Sequence, residues 1–220
     1  MVDAIAQSFD AFGSGLFDLG ALAVTADPAT LSVYDNGAQE YGERFKKYHK
    51  SDGLERFIAR LPAGGTTLDL GCGVGASAAR MRQAGLRVSA LDASVGMAAE
   101  AQRLFGLTVQ VAPFSALTAE AAYDGVWAMF SLLHAPRSDM PGHLARIATA
   151  LRGPREFALA LKTGTGEARD QLGRFYTYYT EAEIRDLLAQ AGFAIRAIQY
   201  GEGVGFDNQP APWMVISAHG

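Results

Sequence analysis

The chain has 220 residues, 49% of them hydrophobic and 19% charged, with a formal net charge of −4. That composition suits one medium domain with a sizeable core and argues against wholesale disorder. The acidic balance offers no broad basic surface for a nucleic-acid backbone, the single cysteine, Cys72, excludes an internal disulfide and a cysteine-ligand zinc cluster, and no apolar run approaches the roughly 20 residues that span a bilayer.

Residues 1–30 are apolar but broken by glycine. They read as an N-terminal extension, either a short helix or a mobile arm, closed by "TADPAT". The start, "MVDAIAQSF", lacks a basic segment followed by a long apolar core, so no ordinary secretory signal is expected and the chain reads as cytoplasmic. From Leu31 to Arg60 the pattern is helical. Tyr34, Tyr41, Phe45 and Tyr48 recur at helical spacing on one face, and "RFKKYHK" (44–50) reads as a solvated basic stretch. "LPAGG" (61–65) is a break.

Strands and helices then alternate. Strands are expected at 66–70, 87–92, 107–112, 123–130 and 155–162, with helices at 76–84, 94–105 and 139–151 between them. Thr180, three residues before Glu183, signs the start of another helix, and Gly192 its end. "AIRAIQY" and "APWMVISAH" are two closing strands with no helix between them. Repeated βα units imply a parallel sheet with helices on both faces, and the last two strands imply a terminal antiparallel pair.

The chemistry centres on "LDLGCGVGASAARMRQAGLRVSALDAS" (68–94). Gly71, Gly73 and Gly75 follow a strand directly, where glycine permits a tight turn and close approach of a ligand. With Ala76 as the last position, the same turn also fits a dinucleotide fingerprint. Asp92, about twenty residues on, can accept both hydroxyls of a ribose, which nicotinamide dinucleotides and S-adenosylmethionine share. Ser94 offers a cap for the next helix. Asp69 separates the two ligands better. A carboxylate beside the turn would repel a pyrophosphate and attract the ammonium and sulfonium of S-adenosylmethionine.

With "LDLGCGVG" (68–75), "ALDAS" (90–94), "YDGVWAMFSLLHAP" (123–136) and the two closing strands, residues 31–220 resemble the class I S-adenosylmethionine-dependent methyltransferases. A narrower likeness, through "KTGTGEARDQLGRFYTYYT" (162–180), is to small bacterial tellurite-resistance-like and unassigned members. The usual "LKPGG"-like turn before the fifth strand reads "LRGPREF" here. The resemblance implies a Rossmann-like α/β fold: a seven-stranded, mostly parallel sheet with an antiparallel final strand. It implies a single domain over 31–220, opened by a helical lid at 31–60 with Tyr34, Tyr41 and Arg44. It further implies cofactor contacts from Asp69, Gly71, Cys72, Gly73 and Gly75, and from Asp92, Ala93, Ser94 and Met97. Ala112, Pro113 and Phe114 would match the adenine loop, and Met129 and Phe130 would lie near the methionine end.

Methyl transfer from a sulfonium is an in-line displacement that asks mainly for alignment and exclusion of water. A general base is needed only when the acceptor loses a proton on attack, and His134 is the candidate; its alternative role is to stitch the loop through backbone hydrogen bonds. Arg169, Arg174, Tyr176, Tyr178 and Tyr179 follow the fifth strand at the ligand-binding edge and are expected to shape the acceptor site; Arg169 with Asp170 alternatively forms a structural ion pair. No metal is expected. A small-molecule acceptor is favoured, with neither nucleic acid nor membrane as partner. Two further readings are an oxidoreductase that uses a nicotinamide cofactor and a non-catalytic binding module of the same fold.

Overall fold

The computed structural model describes residues 26–46 and 51–220. The extension up to residue 25, and Tyr48 with the end of the basic stretch, lie outside the described residues. Helix α1 (Pro28–Phe45) starts earlier than the apolar pattern suggests. Asp27 accepts the Thr30 amide and Pro28 fills the first helical position, where a missing N–H costs nothing. Thus Asp27 and Pro28 open a helix three residues before Leu31. Ser51 caps α2 (Asp52–Arg60), which buries Leu54 and Phe57.

The alternating units follow as read. They are β1 (Thr66–Leu70), α3 (Ala76–Gln83), β2 (Arg87–Asp92), α4 (Val95–Phe105), β3 (Gln110–Val111), β4 (Tyr123–Met129), α5 (Met140–Ala150) and β5 (Leu151–Lys162). β3 keeps only two paired residues of the expected six, and a 3-10 turn over Phe114–Ala116 follows it. β5 begins at Leu151, so "LRGPREF" is already strand, paired through Leu151 with Tyr123. A short hairpin, β6 (Glu167–Arg169) with β7 (Phe175–Thr177), occupies the stretch read as a loop. α6 (Glu181–Gln190) follows, capped by Thr180, and then β8 (Ala194–Val204) and β9 (Pro210–His219).

The main sheet has the order β3-β2-β1-β4-β5-β9-β8. Its pairings are parallel from β3 to β5, and β9 inserts antiparallel between β5 and β8. β1 is buried along its whole length, as a central parallel strand should be. Side chains alternate between faces. Val126 and Ala128 join Leu144, Ile147, Ile184 and Leu188 of α5 and α6, while Trp127 packs on Leu54, Phe57 and Met81 of α2 and α3. This is a Rossmann-like, seven-stranded sheet with helices on both faces. α1 lies across α4. Gly42 permits that approach, since a Cβ there would stand 2.6 Å from Glu100 Oε1. No helix among the described residues is long and apolar enough to cross a membrane.

Candidate active site

The sheet switches direction between β1 and β4, and the glycine turn sits at the carboxyl end of β1 beside that point. Its amides at Gly71 and Cys72 donate to the Leu91 carbonyl of β2 at 2.7 and 3.0 Å. Gly71 and Gly75 have φ of +72° and +79°, and both are packed: a Cβ would meet Ser131 Cβ at 2.3 Å or Leu107 Cδ1 at 2.6 Å. Gly73 differs. Its φ is +53°, yet the nearest atom to a Cβ would be Tyr41 Cε1 at 3.9 Å. Its backbone conformation asks for glycine, while a Cβ there would make only an ordinary contact with the Tyr41 ring of α1.

Asp92 closes this turn from β2. One oxygen accepts the Gly73 amide at 2.7 Å and the other the Ser94 amide at 2.9 Å. Burial pushes its carboxyl above the usual carboxylate range, opposed by these two amides. Each oxygen retains a second acceptor site. Ser94 Oγ caps α4 by accepting the Met97 amide and donates to Asp35 of α1 at 2.6 Å. Met97 itself is buried with Ala38 and Val74, and Cys72 is half-buried with its thiol pushed up by burial.

Asp69 is only 2% exposed, and its Oδ2 has no hydrogen-bond partner among the described residues. Burial raises its carboxyl to about 7, opposed by a backbone hydrogen bond from Ala78, and the nearby Asp92 adds to the rise. A buried carboxylate oxygen without a donor is costly unless a ligand supplies one. An ammonium is the matching group; a pyrophosphate is the opposite.

α1 roofs the turn. Tyr34 and Tyr41 meet edge to face, with ring centroids 5.8 Å apart, and Tyr41 packs on Phe206 of the β8–β9 loop. Arg44 donates to the carbonyls of Gly205 and Phe206. His134 Nδ1 lies 2.7 Å from the Phe175 carbonyl, so Nδ1 carries the proton and Nε2 accepts the Tyr34 hydroxyl at 2.8 Å. Burial lowers the imidazole to about 4, which keeps it neutral. Arg174 donates to the same Tyr34 oxygen at 3.0 Å.

The residues expected at the acceptor site divide. Arg174 is 2% exposed, ion-paired with Asp170 and enclosed by Tyr34, Tyr176 and Phe206, so it holds the roof together and does not reach a ligand here. Arg169 turns outward to Asp27 at the start of α1; the ion pair weighed for it with Asp170 is instead made by Arg174. Tyr179 is fully buried beneath the Arg137 guanidinium. Tyr176 is buried, and the half-buried Tyr178 stacks beside it. On the opposite side, Phe114 packs edge-on to His143 and against the core, with Pro113 preceding it. Met129 packs near Trp127, and Phe130 is 42% exposed. The sequence reading missed Asp27, Thr30 and Asp35 as anchors of α1. For Asp27 the Asp-Pro pair was a legible signal. An open recess of about 460 Å³ between Ser32, Asn36, Leu172 and Asn208 lies on another face of α1 and includes none of the glycine-turn residues. No cluster of His, Cys, Asp and Glu suited to a metal occurs among the described residues.

Residues 67–153 match the family model described as a methyltransferase domain. Those residues carry the signature of a methyltransferase domain. Among solved structures, the chain is similar to the 1,6-didemethyltoxoflavin-N1-methyltransferase of Burkholderia thailandensis, at 24% identity and a TM-score of 0.65, over 92% of this chain and 93% of that one. That structure holds 1,6-didemethyltoxoflavin and S-adenosylhomocysteine. DhpI, in complex with S-adenosylhomocysteine, is similar at 25% identity and a TM-score of 0.62, over 86% of this chain and 94% of that one. A complex between the Haloferax volcanii Trm112 methyltransferase activator and a methyltransferase gives 20% identity and a TM-score of 0.66, over 86% and 96%. The search of curated proteins found no match. The unpaired Asp69 oxygen and the Gly73 backbone fit S-adenosylmethionine, whose product S-adenosylhomocysteine the Burkholderia and DhpI structures hold. The narrower, tellurite-resistance-like likeness draws no support from these matches.

Proposed function

We propose that the chain is an S-adenosylmethionine-dependent methyltransferase that alkylates a small molecule in the cytoplasm, without a nucleic-acid partner, at the carboxyl edge of β1, β4 and β5. The observation that carries the reading is Asp69, a buried carboxyl with one oxygen lacking a donor, beside a glycine turn where a Cβ at Gly73 would touch only the Tyr41 ring. On this reading Asp69 faces the cofactor ammonium, Gly73 lets the cofactor lie against the backbone, and Asp92 accepts the ribose hydroxyls. Pro113 and Phe114 flank the adenine, Met129 and Phe130 flank the methionine end, and Tyr34, Tyr41 and Arg44 form the lid. When bound, S-adenosylmethionine supplies an electrophilic methyl group and its own leaving group. The chain's task is therefore alignment and exclusion of water, which a roof of Tyr34, Tyr41 and Phe206 serves.

His134 is satisfied at both ring nitrogens while the roof is closed. As a base it would first have to lose Tyr34, so its first role is to hold α1 down. A roof over the site and a net charge of −4 both suit a small acceptor. The similar enzyme from Burkholderia, with its bound 1,6-didemethyltoxoflavin, provides a precedent on the same fold. Calorimetry with S-adenosylmethionine, S-adenosylhomocysteine and NADH tests the cofactor. Binding of the first two and not the third is expected, and the reverse would overturn the reading. A methyl-transfer screen over small acceptors then tests the reaction; a protein that binds cofactor yet methylates only macromolecules would overturn the choice of substrate class.

A further inference from the structure

Three side chains at the carboxyl edge have no role in the roof. Phe130, the residue after β4, is 42% exposed and held at a φ of +53°, a conformation that bulky side chains rarely adopt. It follows directly on Met129 and precedes Ser131, which is packed against Gly71, so it stands beside the cofactor turn. Trp213 on β9 presents its edge or face to Phe130 at a centroid distance of 6.3 Å. Its indole lies over Gly201 and Gly203 of β8, where a Cβ at Gly201 would meet Cζ2 at 2.3 Å. The glycines thus make a floor for the ring. Lys162, the last residue of β5, is the register partner of Trp213. Its ammonium lies 3.9 Å from the Tyr176 ring centroid, and it forms no ion pair among the described residues. The nearby carboxylates, Asp170 and Asp207, both face Arg174.

We propose that Phe130, Trp213 and Lys162 form the acceptor site for a planar aromatic or heteroaromatic acid, an acidic O–H or N–H compound bound and methylated as its anion. This rests on the methyltransferase reading above. The rings select a flat, polarisable partner, and a half-buried ammonium without a carboxylate selects an anion. The charges of the step balance. The acceptor gives its proton to water before binding. Its lone pair then forms a bond to the methyl carbon, the carbon–sulfur bond breaks, and that electron pair stays on sulfur. Anion and sulfonium become a neutral methylated product and a neutral thioether. Lys162 keeps its proton throughout, so no general base is required, in agreement with His134 being occupied by Tyr34. Loss of the negative charge also removes the attraction to Lys162 and favours product release.

The probe is 4-nitrophenolate, with 4-nitrobenzyl alcohol as the neutral counterpart, added to protein saturated with S-adenosylhomocysteine. Tryptophan fluorescence reads binding, because Trp213 is half-buried and the other tryptophan, Trp127, is buried at 3% exposure. The phenolate should quench at about tenfold lower concentration than the alcohol, the effect of a charged hydrogen bond. Lys162→Met should erase that preference, and Trp213→Phe should erase the quenching, while both variants bind S-adenosylhomocysteine normally by calorimetry. Equal binding of the two probes, no quenching, or an undiminished preference in Lys162→Met overturns the acceptor site. Failure of the wild-type protein to bind S-adenosylhomocysteine overturns the cofactor reading instead.

Discussion

At Asp92 one carboxylate holds two backbone amides, those of Gly73 and Ser94, and has two acceptor sites left. Asp92→Ala should therefore weaken S-adenosylhomocysteine binding by ~1.5–3 kcal/mol, the range for charged hydrogen bonds. Asp92→Asn, which keeps one acceptor oxygen, should lose less. Calorimetry on both variants decides; unchanged affinity in a folded Asp92→Ala protein would remove Asp92 from the ribose role. Gly73 gives a sharper contrast. At its φ of +53° alanine is strained but has room, whereas a branched side chain would fill the space up to the Tyr41 ring. Gly73→Ala should bind cofactor weakly and Gly73→Val not at all, with circular dichroism showing both folded; normal binding by Gly73→Val would mean the turn is not the cradle. These positions were legible in the sequence because short motifs fix them locally. Arg174 was not. Its type and position suggested an anion site, and only the fold showed that Asp170, Tyr34 and Tyr176 enclose it.

α1 is held over the site by apolar packing on α4 and Phe206 and by a set of polar ties. The Asp27–Arg169 pair, Thr30 Oγ1 accepting the Phe175 amide, Asp35 with Ser94 and Gly96, and Tyr34 with His134 anchor its first half. Tyr34→Phe keeps the ring contacts with Tyr41 and His134 but removes the donor to His134 and the acceptor for Arg174. Both partners are left buried and unsatisfied, a cost of about 1–3 kcal/mol. Amide exchange in α1 should accelerate while the amides of β1 and β4 keep their protection. Uniform acceleration would indicate a general loss of stability, and no change would mean that the hydroxyl does not hold the lid. The helical face of Tyr34, Tyr41 and Phe45 was readable from spacing, but its contacts were not, since Tyr34 bonds to residues 100 and 140 positions away. The β6–β7 hairpin escaped for another reason. Three-residue strands are too short for periodicity to appear, and their pairing is set by the turn and by α1.

Over the whole molecule, the strand order and the inserted β9 follow from the repeated βα units and the helix-free ending, so the fold was largely legible in the sequence. The electrostatics were not, because burial decides them. Two buried groups act in opposite senses. Asp69 is raised from 3.8 to about 7, so the folded state holds its proton longer than the unfolded one, and stability falls as pH rises between those values. His134 is lowered from 6.5 to about 4, so stability falls as pH drops through that window. Their slopes oppose between about 4 and 6.5, and the ligand-free protein should show little net pH dependence from this pair there. Ligand changes the balance. An ammonium beside Asp69 favours the carboxylate, so binding should release a proton below about 7 and tighten as pH rises. S-adenosylhomocysteine, which retains the ammonium, should raise the melting temperature more at pH above 7 than near pH 5, by mass action on a tighter complex. Asp69→Asn removes the titrating group and should give a smaller shift that is nearly the same at both pH values. Differential scanning fluorimetry on the two proteins, with and without ligand, makes the comparison. A ligand-induced shift independent of pH in the wild type, or the same pH dependence in Asp69→Asn, would show that the orphaned carboxylate does not face the ammonium.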